Sequence, residues 1–237
     1  MILAAGRGVR LGALTTNRPK CLLPLGSETV LERQLRLLSE VGVDDVVVVV
    51  GYRAPDIVAS VHRRVGTATV PNPRYPGNGS ISSLAAAIDC LSGDVLILNS
   101  DLVYERQMLQ GLVSSDSDVA LVVSRTRVGS PDVQLRLEGR RLEDIGRHVP
   151  ARISHAAFCG ASLIRESQVA RFSCALEDSA ARSLRTGWSI VFARMVQEGV
   201  DVAAAEYEGP WWNINSVRDY TAAQRWAREE ERSGRRT

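Results

Sequence analysis

The chain opens with Leu3-Ala4-Ala5-Gly6-Arg7-Gly8-Val9-Arg10-Leu11, and Asn17-Arg18-Pro19-Lys20-Cys21-Leu22-Leu23-Pro24 follows a few residues later. A short apolar run, which predicts a strand, enters a loop of small residues that also carries two arginines. Glycine lets a backbone approach a ligand closely, and successive backbone N–H groups in such a loop can surround an anion. Arginine adds a planar fork of donors, and lysine adds a point charge. The stretch therefore predicts a triphosphate-binding loop after a first strand.

Two common glycine-rich phosphate loops do not fit this stretch. The dinucleotide fingerprint G-x-G-x-x-G requires glycine where Leu11 stands, and the P-loop requires Gly-Lys where the chain has Leu11-Gly12. What remains is the pattern L-A-A-G-x-G-x-R, followed by P-K-x-L-L-P. The plain structural alternative is a tight strand-to-helix turn with solvated arginines.

Composition and charge limit the class of protein. The chain has 237 residues, of which 45% are hydrophobic and 24% are charged, with a net charge of +2. These values are ordinary for a globular protein of one α/β domain. The small net charge argues against a nucleic-acid partner. The chain has neither a signal peptide nor an apolar stretch of about 18 residues, so we expect a cytoplasmic protein with no membrane partner. Oligomeric state is not readable from the sequence.

Strand and helix patterns alternate through the first half of the chain. Buried strands are predicted near residues 46–50, 68–70 and 95–98, with helices between them, and this alternation predicts βαβ units and a parallel sheet. A hairpin is predicted over 133–142, further strands near 120–123, 161–164 and 200–205, and helices over 188–198 and 217–231. The first strand, Met1–Ala4, is shorter than the usual five or six residues. Either it is unusually short, or the native start lies upstream.

Asp101 is the second candidate site residue. It follows the buried strand at 95–98, and ligands in open α/β sheets bind outside the carboxyl ends of the strands. A carboxylate there can hold Mg²⁺ against triphosphate oxygens. The structural alternative is an aspartate that caps a helix.

The opening motif resembles the signature of nucleotidyltransferases that join an NTP to a phosphorylated small molecule: the sugar-1-phosphate nucleotidylyltransferases and phosphocholine cytidylyltransferases. The resemblance continues through Gly51-Tyr52-Arg53, Ile81-Ser82-Ser83-Leu84, Asp101 and Trp211-Trp212-Asn213-Ile214-Asn215-Ser216. It implies an α/β fold in one domain over 1–237, with a Rossmann-like mixed sheet of the nucleotide-diphospho-sugar transferase (GT-A-like) type. It also implies a small acceptor-binding lobe at about 125–190.

The sequence departs from the family pattern at three positions. Asn213 stands where glutamate is usual, and Asn215 stands where an aspartate acts as the second metal ligand. An amide oxygen can still coordinate Mg²⁺ but contributes no charge. Gly79 stands where asparagine is usual, and Asn78 would supply that amide from one residue earlier. Asp219 matches a later aspartate, which we expect to brace a helix rather than bind metal.

The resemblance implies a role for each candidate residue. The expected catalytic residues are Arg10, Lys20 and Asp101, and the expected Mg²⁺ ligands are Asp101 and Asn215. The nucleotide would be bound by Leu3, Ala4, Ala5, Gly6, Arg7, Gly8, Gly51, Tyr52, Asn78, Ser80 and Ser83. The acceptor would meet the aromatic residues Tyr104, Trp188 and Trp212, whose rings would suit a quaternary ammonium group. Packing in the core is the structural alternative for each of these rings.

The expected reaction transfers an NMP, with CMP favoured, from an NTP to a phosphorylated or phosphonate small molecule and releases pyrophosphate. One alternative is a sugar-1-phosphate nucleotidyltransferase. Another, from a different class, is a nucleotide-binding regulatory protein without turnover. Asn215 favours the regulatory alternative, whereas Arg10, Lys20 and Asp101 oppose it.

Overall fold

Strands and helices alternate along the first half of the chain. The computed structural model describes residues 1–62, 64–127 and 133–233. In chain order the strands and helices are β1 (Ile2–Ala4), β2 (Pro24–Leu25), β3 (Glu28–Thr29), α1 (Val30–Glu40), β4 (Val46–Val50), α2 (Ala54–Val61), β5 (Thr67–Pro71), α3 (Ser80–Ala86), β6 (Val95–Asn99), β7 (Leu102–Tyr104), α4 (Arg106–Val113), β8 (Val119–Ser124), β9 (Gln134–Glu138), β10 (Arg141–Gly146), β11 (Ala156–Ile164), α5 (Glu166–Arg182), α6 (Ile190–Gln197), β12 (Ala203–Glu206), β13 (Trp211–Asn213) and α7 (Val217–Arg232).

One nine-stranded mixed sheet, in the order β5-β4-β1-β6-β11-β8-β12-β10-β9, organises the fold. Strands β5, β4, β1 and β6 are parallel to one another, and Ile2 of β1 pairs with Val48 on one side and Leu98 on the other. Strand β11 runs antiparallel to both β6 and β8. The predicted hairpin is confirmed as β9–β10, and β9 also pairs with β11. The predicted α/β class with a mixed sheet is therefore confirmed, and the carboxyl ends of β1, β4 and β6 share one edge.

Apolar side chains cover both faces of this sheet. On one face, Leu3 and Ile97 pack with residues of α3, α5 and α6. On the other, Ile2 and Leu98 pack with residues of α1, α2 and α4. A third cluster joins α7 to the segment after the opening loop, through residues that include Leu23 and Tyr220. Successive β1 side chains thus point to opposite faces of the sheet and pack in both clusters. The fold has three layers, helices, sheet and helices, with α7 added at one side.

Several elements differ from the sequence expectation. The helix predicted between the strands at 68–70 and 95–98 covers only Ser80–Ala86, and a 3₁₀ turn follows at Ile88–Cys90. The pair β7–β13 was missed because each strand has three residues, too few for a periodic pattern. Helix α5 has 17 residues and was also missed. Across the described ranges, no helix has the length and apolar composition needed to cross a bilayer.

Arg33 fixes helix α7 against the rest of the fold. Its guanidinium lies 2.9 Å from a carboxylate oxygen of Glu230 and 4.8 Å from the centre of the Trp226 ring. The same group donates to the backbone oxygen of Tyr104, at 3.2 Å from Nη2. The side chain is only 5% exposed, so a buried cation joins α1, β7 and α7. Because α7 begins just after Asn215, this contact also helps to set the position of Asn215.

We expect Arg33→Met to lower the free energy of unfolding by about 3–5 kcal/mol, because it leaves the Glu230 carboxylate buried without this partner. The matched control is Arg36→Met. Arg36 is on the same helix, but its side chain is 26% exposed and pairs with Glu28 and Glu40 at the surface, so we expect a loss of about 1 kcal/mol or less. Urea unfolding measures both values. Similar losses for the two variants would contradict the buried-cation account.

Candidate active site

A cleft of about 760 Å³ opens at the edge where β1 and β6 end. Its lining comes from the opening loop, the segments before α3 and α6, the turn after β10, and the stretch between β13 and α7. Of the residues predicted from the sequence, the cleft contains Leu3, Ala4, Gly6, Gly8, Arg10, Lys20, Asn78, Ser80, Ser83, Asp101, Trp188 and Asn215. The fold therefore collects most of the predicted ligand residues in one place.

The opening loop is held close to Lys20 by a glycine in a left-handed conformation. Gly8 has φ +67°, and a Cβ there would lie 3.3 Å from both Cβ and Cδ of Lys20. The hydroxyl of Thr15 donates to the Gly8 carbonyl at 3.0 Å. Glycine therefore meets two requirements at position 8, the positive φ and the close approach. The turn directs the loop backbone toward the cleft.

Four polar side chains meet beside this loop. Lys20 forms an ion pair with Asp101, and the ammonium also donates to Asn215 Oδ1 at 3.3 Å. Arg10 donates to the same Asn215 oxygen at 2.7 Å. Lys20 is the single lysine among the 29 basic residues of the sequence, and all the others are arginines. The cluster therefore contains the one compact ammonium group among the basic side chains of the chain. The cluster combines two cations, one carboxylate and one neutral amide.

The start of α7 positions Asn215. The backbone N–H of Asn215 donates to Asp219 Oδ2 at 3.1 Å, and the Ser216 hydroxyl donates to the same oxygen at 2.8 Å. The N–H of Asp219 in turn donates to Ser216 Oγ at 3.2 Å. These contacts form a helix N-cap. Asp219 therefore braces the helix, as expected, and fixes the backbone that carries Asn215.

The donor set fits a magnesium ion only with help from a substrate. Asp101 Oδ2 and Asn215 Oδ1 both contact the Lys20 ammonium, so the two oxygens face the same point beside the opening loop. Mg²⁺ is usually held by one or two carboxylates together with substrate phosphates. The described part of the chain has no group of three or more His, Cys, Asp or Glu side chains arranged to hold a metal. One carboxylate and one amide therefore suit a metal whose shell the triphosphate would complete.

The loop before α3 is joined directly to the loop before α6. Gly79 N–H donates to the Leu184 carbonyl at 2.8 Å, and Trp188 N–H donates to Ser80 Oγ at 3.1 Å. A Cβ at position 79 would lie 2.0 Å from the Thr186 carbonyl oxygen. Glycine at position 79, where the family pattern has asparagine, is therefore required by this close approach.

Two of the three predicted acceptor-binding aromatic residues do not line the cleft, and this corrects the prediction. Tyr104 is fully buried in the core. Trp212 packs against Trp226, with ring centroids 5.2 Å apart. Both residues lie on the short β7–β13 ladder, paired as Trp211 with Tyr104 and Trp212 with Val103, and their rings contribute to packing. Trp188 alone of the three reaches the cleft.

Four predicted nucleotide ligands, Ala5, Arg7, Gly51 and Tyr52, also lie outside the cleft lining. The Tyr52 hydroxyl donates to the backbone oxygens of Thr15, at 3.1 Å, and Thr16. Its N–H donates to the Ala5 carbonyl at 2.9 Å. The Arg7 guanidinium lies 5.6 Å from the centre of the Tyr52 ring. A Cβ on Gly51 would lie 2.8 Å from the Ala5 oxygen. These residues support the opening loop from outside the cleft.

Sequence reasoning missed several residues that line the cleft, among them Asn99, Asn213, Arg147 and Arg185. Asn99 Oδ1 accepts a 2.8 Å hydrogen bond from Trp188 Nε1. Its position at the end of a buried strand, next to Asp101, could have identified it. In the sequence, Asn213 stands out only as a departure from a family pattern. Arg147 and Arg185 lie in a turn and a loop, and no local pattern marks them.

Comparison with known proteins agrees with this geometry. Residues 1–186 match the family described as the MobA-like NTP transferase domain, and the chain belongs to this family. The bifunctional IPC transferase and DIPP synthase of Rubrobacter xylanophilus is 29% identical over 225 residues, which is 92% of this chain and 49% of that protein. The 2-aminoethylphosphonate cytidylyltransferase of Lancefieldella rimae is 35% identical over 104 residues, 44% of this chain and 42% of that protein. The chain thus spans about half the length of these relatives or less.

Solved structures share the fold. The CTP:phosphocholine cytidylyltransferase from Streptococcus pneumoniae aligns with a TM-score of 0.74 at 21% identity, covering 95% of this chain and 96% of that one. The inositol-1-phosphate CTP transferase from T. maritima aligns with a TM-score of 0.77 at 18% identity, covering 96% and 95%. The family match and these folds confirm the resemblance inferred from the sequence.

We expect Tyr52→Phe to weaken the binding of CTP, UTP, GTP and ATP by the same factor, about threefold to tenfold. The lost hydroxyl supports the loop backbone, and a net hydrogen bond contributes about 0.5–1.5 kcal/mol. Equilibrium dissociation constants for the four nucleotides measure this effect, with Tyr207→Phe, which does not line the cleft, as the control. A loss confined to one base would show that Tyr52 lines the base pocket after all.

Proposed function

We propose that this member of the MobA-like NTP transferase family transfers a nucleotidyl group, with CMP favoured, from an NTP to a phosphorylated or phosphonate small molecule and releases pyrophosphate. The observation that carries the proposal is the cluster of Arg10, Lys20, Asp101 and Asn215 beside the glycine loop. CTP is favoured because relatives and structural neighbours of this chain are named for cytidylyl transfer to phosphonate or phosphate acceptors.

In this proposal the opening loop binds the triphosphate. Backbone N–H groups around Gly6 and Gly8, together with Arg10, bind the β- and γ-phosphates. Leu3 and Ala4, at the end of β1, line the base together with Asn78, Ser80 and Ser83. The nucleotide would therefore lie across the carboxyl ends of the parallel strands, the usual ligand position in such sheets.

The transfer step requires positioning and charge stabilisation more than proton transfer. An anionic oxygen of the acceptor attacks the α-phosphorus, and the bond from that phosphorus to the bridging oxygen of pyrophosphate breaks in line. The bonding electrons leave with pyrophosphate, and the step needs no base because the attacking oxygen is already deprotonated. Lys20 is placed to stabilise charge on the α-phosphate and the incoming oxygen. Its ammonium, held by Asp101 and Asn215, is already oriented before substrate binds.

Asp101 and Asn215 are the residues that would hold Mg²⁺, which when bound supplies further neutralisation of the triphosphate oxygens. Because Lys20 already pairs with Asp101, the protein offers little excess negative charge at this point. We therefore expect weak Mg²⁺ binding in the absence of nucleotide.

The acceptor side of the cleft comes mainly from the proposed lobe at about 125–190, of which residues 128–132 lie outside the described part of the chain. Arg147, Arg185 and Trp188 of this lobe line the cleft. A cytoplasmic location, where nucleoside triphosphates are available, belongs to the same proposal, and the cysteines of the described residues form no disulfide, which agrees with it.

Pyrophosphate release tests the proposal. The purified chain is assayed with CTP, UTP, GTP and ATP against inositol 1-phosphate, phosphocholine, 2-aminoethylphosphonate and glucose 1-phosphate. Turnover that is fastest with CTP supports the proposal. Turnover restricted to glucose 1-phosphate with another NTP would favour the sugar-1-phosphate alternative. Nucleotide binding without any turnover would favour a regulatory protein.

We expect Lys20→Ala to lower kcat by a factor on the order of 10²–10³ and to leave the fold intact, because a charge that acts in the transition state is removed. Lys20→Arg should recover little of this loss, since the planar guanidinium cannot take the position of an ammonium between Asp101 and Asn215. Arg64→Ala, which removes a cation outside the cleft, is the control. Steady-state kinetics and circular dichroism provide the two readouts. Lys20→Ala turnover within threefold of wild type would contradict the assigned role.

A magnesium titration tests the proposed metal ligands. Asn215→Asp should lower the Mg²⁺ concentration needed for half-maximal activity, because a second carboxylate adds charge. Asp101→Asn should remove nearly all activity, since it leaves no anionic protein ligand. The half-maximal concentrations of wild type and both variants are compared at fixed CTP. An active Asp101→Asn variant, or a higher magnesium requirement in Asn215→Asp, would place the metal elsewhere.

A further inference from the structure

We propose that the acceptor carries hydroxyl groups and no cationic group: a phosphate ester of a polyol, rather than phosphocholine or an aminoalkylphosphonate. This inference rests on the proposed nucleotidyl transfer and adds the class of acceptor. Three features of the cleft carry it, namely its charge, its aromatic surface and two neighbouring amides, those of Asn99 and the buried Asn213.

The charge of the cleft opposes a cationic acceptor. Four cations line it, Arg10, Lys20, Arg147 and Arg185, and Asp101 is the one carboxylate among the lining residues that the structure describes. Lys20 already pairs with that carboxylate. An ammonium group entering the cleft would lose water and would find no second carboxylate among the described lining residues to compensate it. The same cations suit an acceptor whose net charge is negative.

The aromatic surface does not suit a quaternary ammonium either. A cation is bound by the face of an aromatic ring within about 6 Å of its centroid. Trp188 is only 2% exposed, and its ring is held edge-to-face by Phe158 at 5.3 Å and Phe192 at 5.5 Å. Tyr75 also lines the cleft, but it packs beside Gly51 at the end of β4, on the proposed nucleotide side. No group of open ring faces is therefore formed by the described residues around the acceptor.

Two amides beside Trp188 provide the positive argument. Gly160 on β11 has φ +100°, and a Cβ there would lie 2.6 Å from Asn99 Nδ2 and 3.4 Å from Asn213 Oδ1. The absence of a side chain at Gly160 brings these two amides together against the β11 backbone. Both residues line the cleft, and Asn213 is 8% exposed.

The hydrogen-bonding capacity of this pair is incomplete. Asn99 Oδ1 is used by the Trp188 indole N–H, whereas its Nδ2 donates to no acceptor among the described residues. Asn213 Oδ1 is buried and has no hydrogen-bond partner among the described residues. A buried polar atom without a partner costs about 1–3 kcal/mol. The pair thus offers one donor and one acceptor, which a hydroxyl group can satisfy together, whereas an ammonium only donates and a quaternary ammonium does neither.

The closing experiment compares acceptors in the wild-type chain with CTP at saturation. We expect kcat/KM for inositol 1-phosphate to exceed that for phosphocholine and for 2-aminoethylphosphonate by at least tenfold. Ethyl phosphate, which has neither hydroxyl nor cation, should fall at least tenfold below inositol 1-phosphate. A cationic acceptor within threefold of inositol 1-phosphate would overturn this inference while nucleotidyl transfer stands. Absence of turnover with every acceptor tested would overturn both proposals.

A near-isosteric variant assigns the effect to Asn213. Asn213→Asp adds a carboxylate at the same place, and the ratio of kcat/KM for inositol 1-phosphate over 2-aminoethylphosphonate should fall at least tenfold, with the KM for CTP changed less than twofold. The matched control is Gln197→Glu, which adds the same charge at the exposed end of α6 and should leave the ratio unchanged. An unchanged ratio in Asn213→Asp would overturn the placement of the acceptor hydroxyls beside this amide.

Discussion

The pairing of the three-residue strand β1 between β4 and β6 is the constraint on which the rest of the site depends. Ile2 pairs with Val48 and with Leu98, and all three strands run in the same direction. The chain therefore leaves each strand at the same edge of the sheet, at the Gly6 loop, at Gly51 and at Asn99. No polar side chain of the cleft has to specify this arrangement, because the backbone ladder and the alternating core contacts of Ile2 and Leu3 already do.

The cluster of Arg10, Lys20, Asp101 and Asn215 has more positive than negative charge. Asn215 accepts from Arg10 and from Lys20, although the family pattern has an aspartate there. A carboxylate would have balanced two cations with two anions, whereas the amide leaves the cluster with a net positive charge. That excess suits a triphosphate, which brings its own negative charge. It also makes any metal at this site depend more on substrate oxygens than on the protein. Asn215 is therefore compatible with turnover, provided that nucleotide and metal enter together.

The predictable part of this protein is the part encoded locally. The opening loop was recognised because Gly6, Gly8, Arg10 and Lys20 lie within fifteen residues, and Asp101 because it directly follows an apolar strand. Tyr104 and Trp212 were placed wrongly because an aromatic residue in a short strand can face either side. Only the β7–β13 pairing, between segments more than a hundred residues apart, determines that their rings pack away from the cleft. Asn213 has the same origin, since its register opposite Leu102 carries it to the wall of the cleft.

The two halves of the proposed site differ in how far apart in sequence their residues lie. The nucleotide half relies on backbone groups and on residues close together in sequence, and Tyr52 and Gly51 support it from outside. The acceptor half gathers Asn99, Gly160, Trp188 and Asn213 from four separate segments. Each of these segments is held by backbone pairing or by a loop contact such as Gly79 N–H to Leu184, so side chains there can change without moving the frame. A fold of this kind can keep one nucleotide chemistry while its acceptor changes, which agrees with relatives of this chain being named for different acceptors.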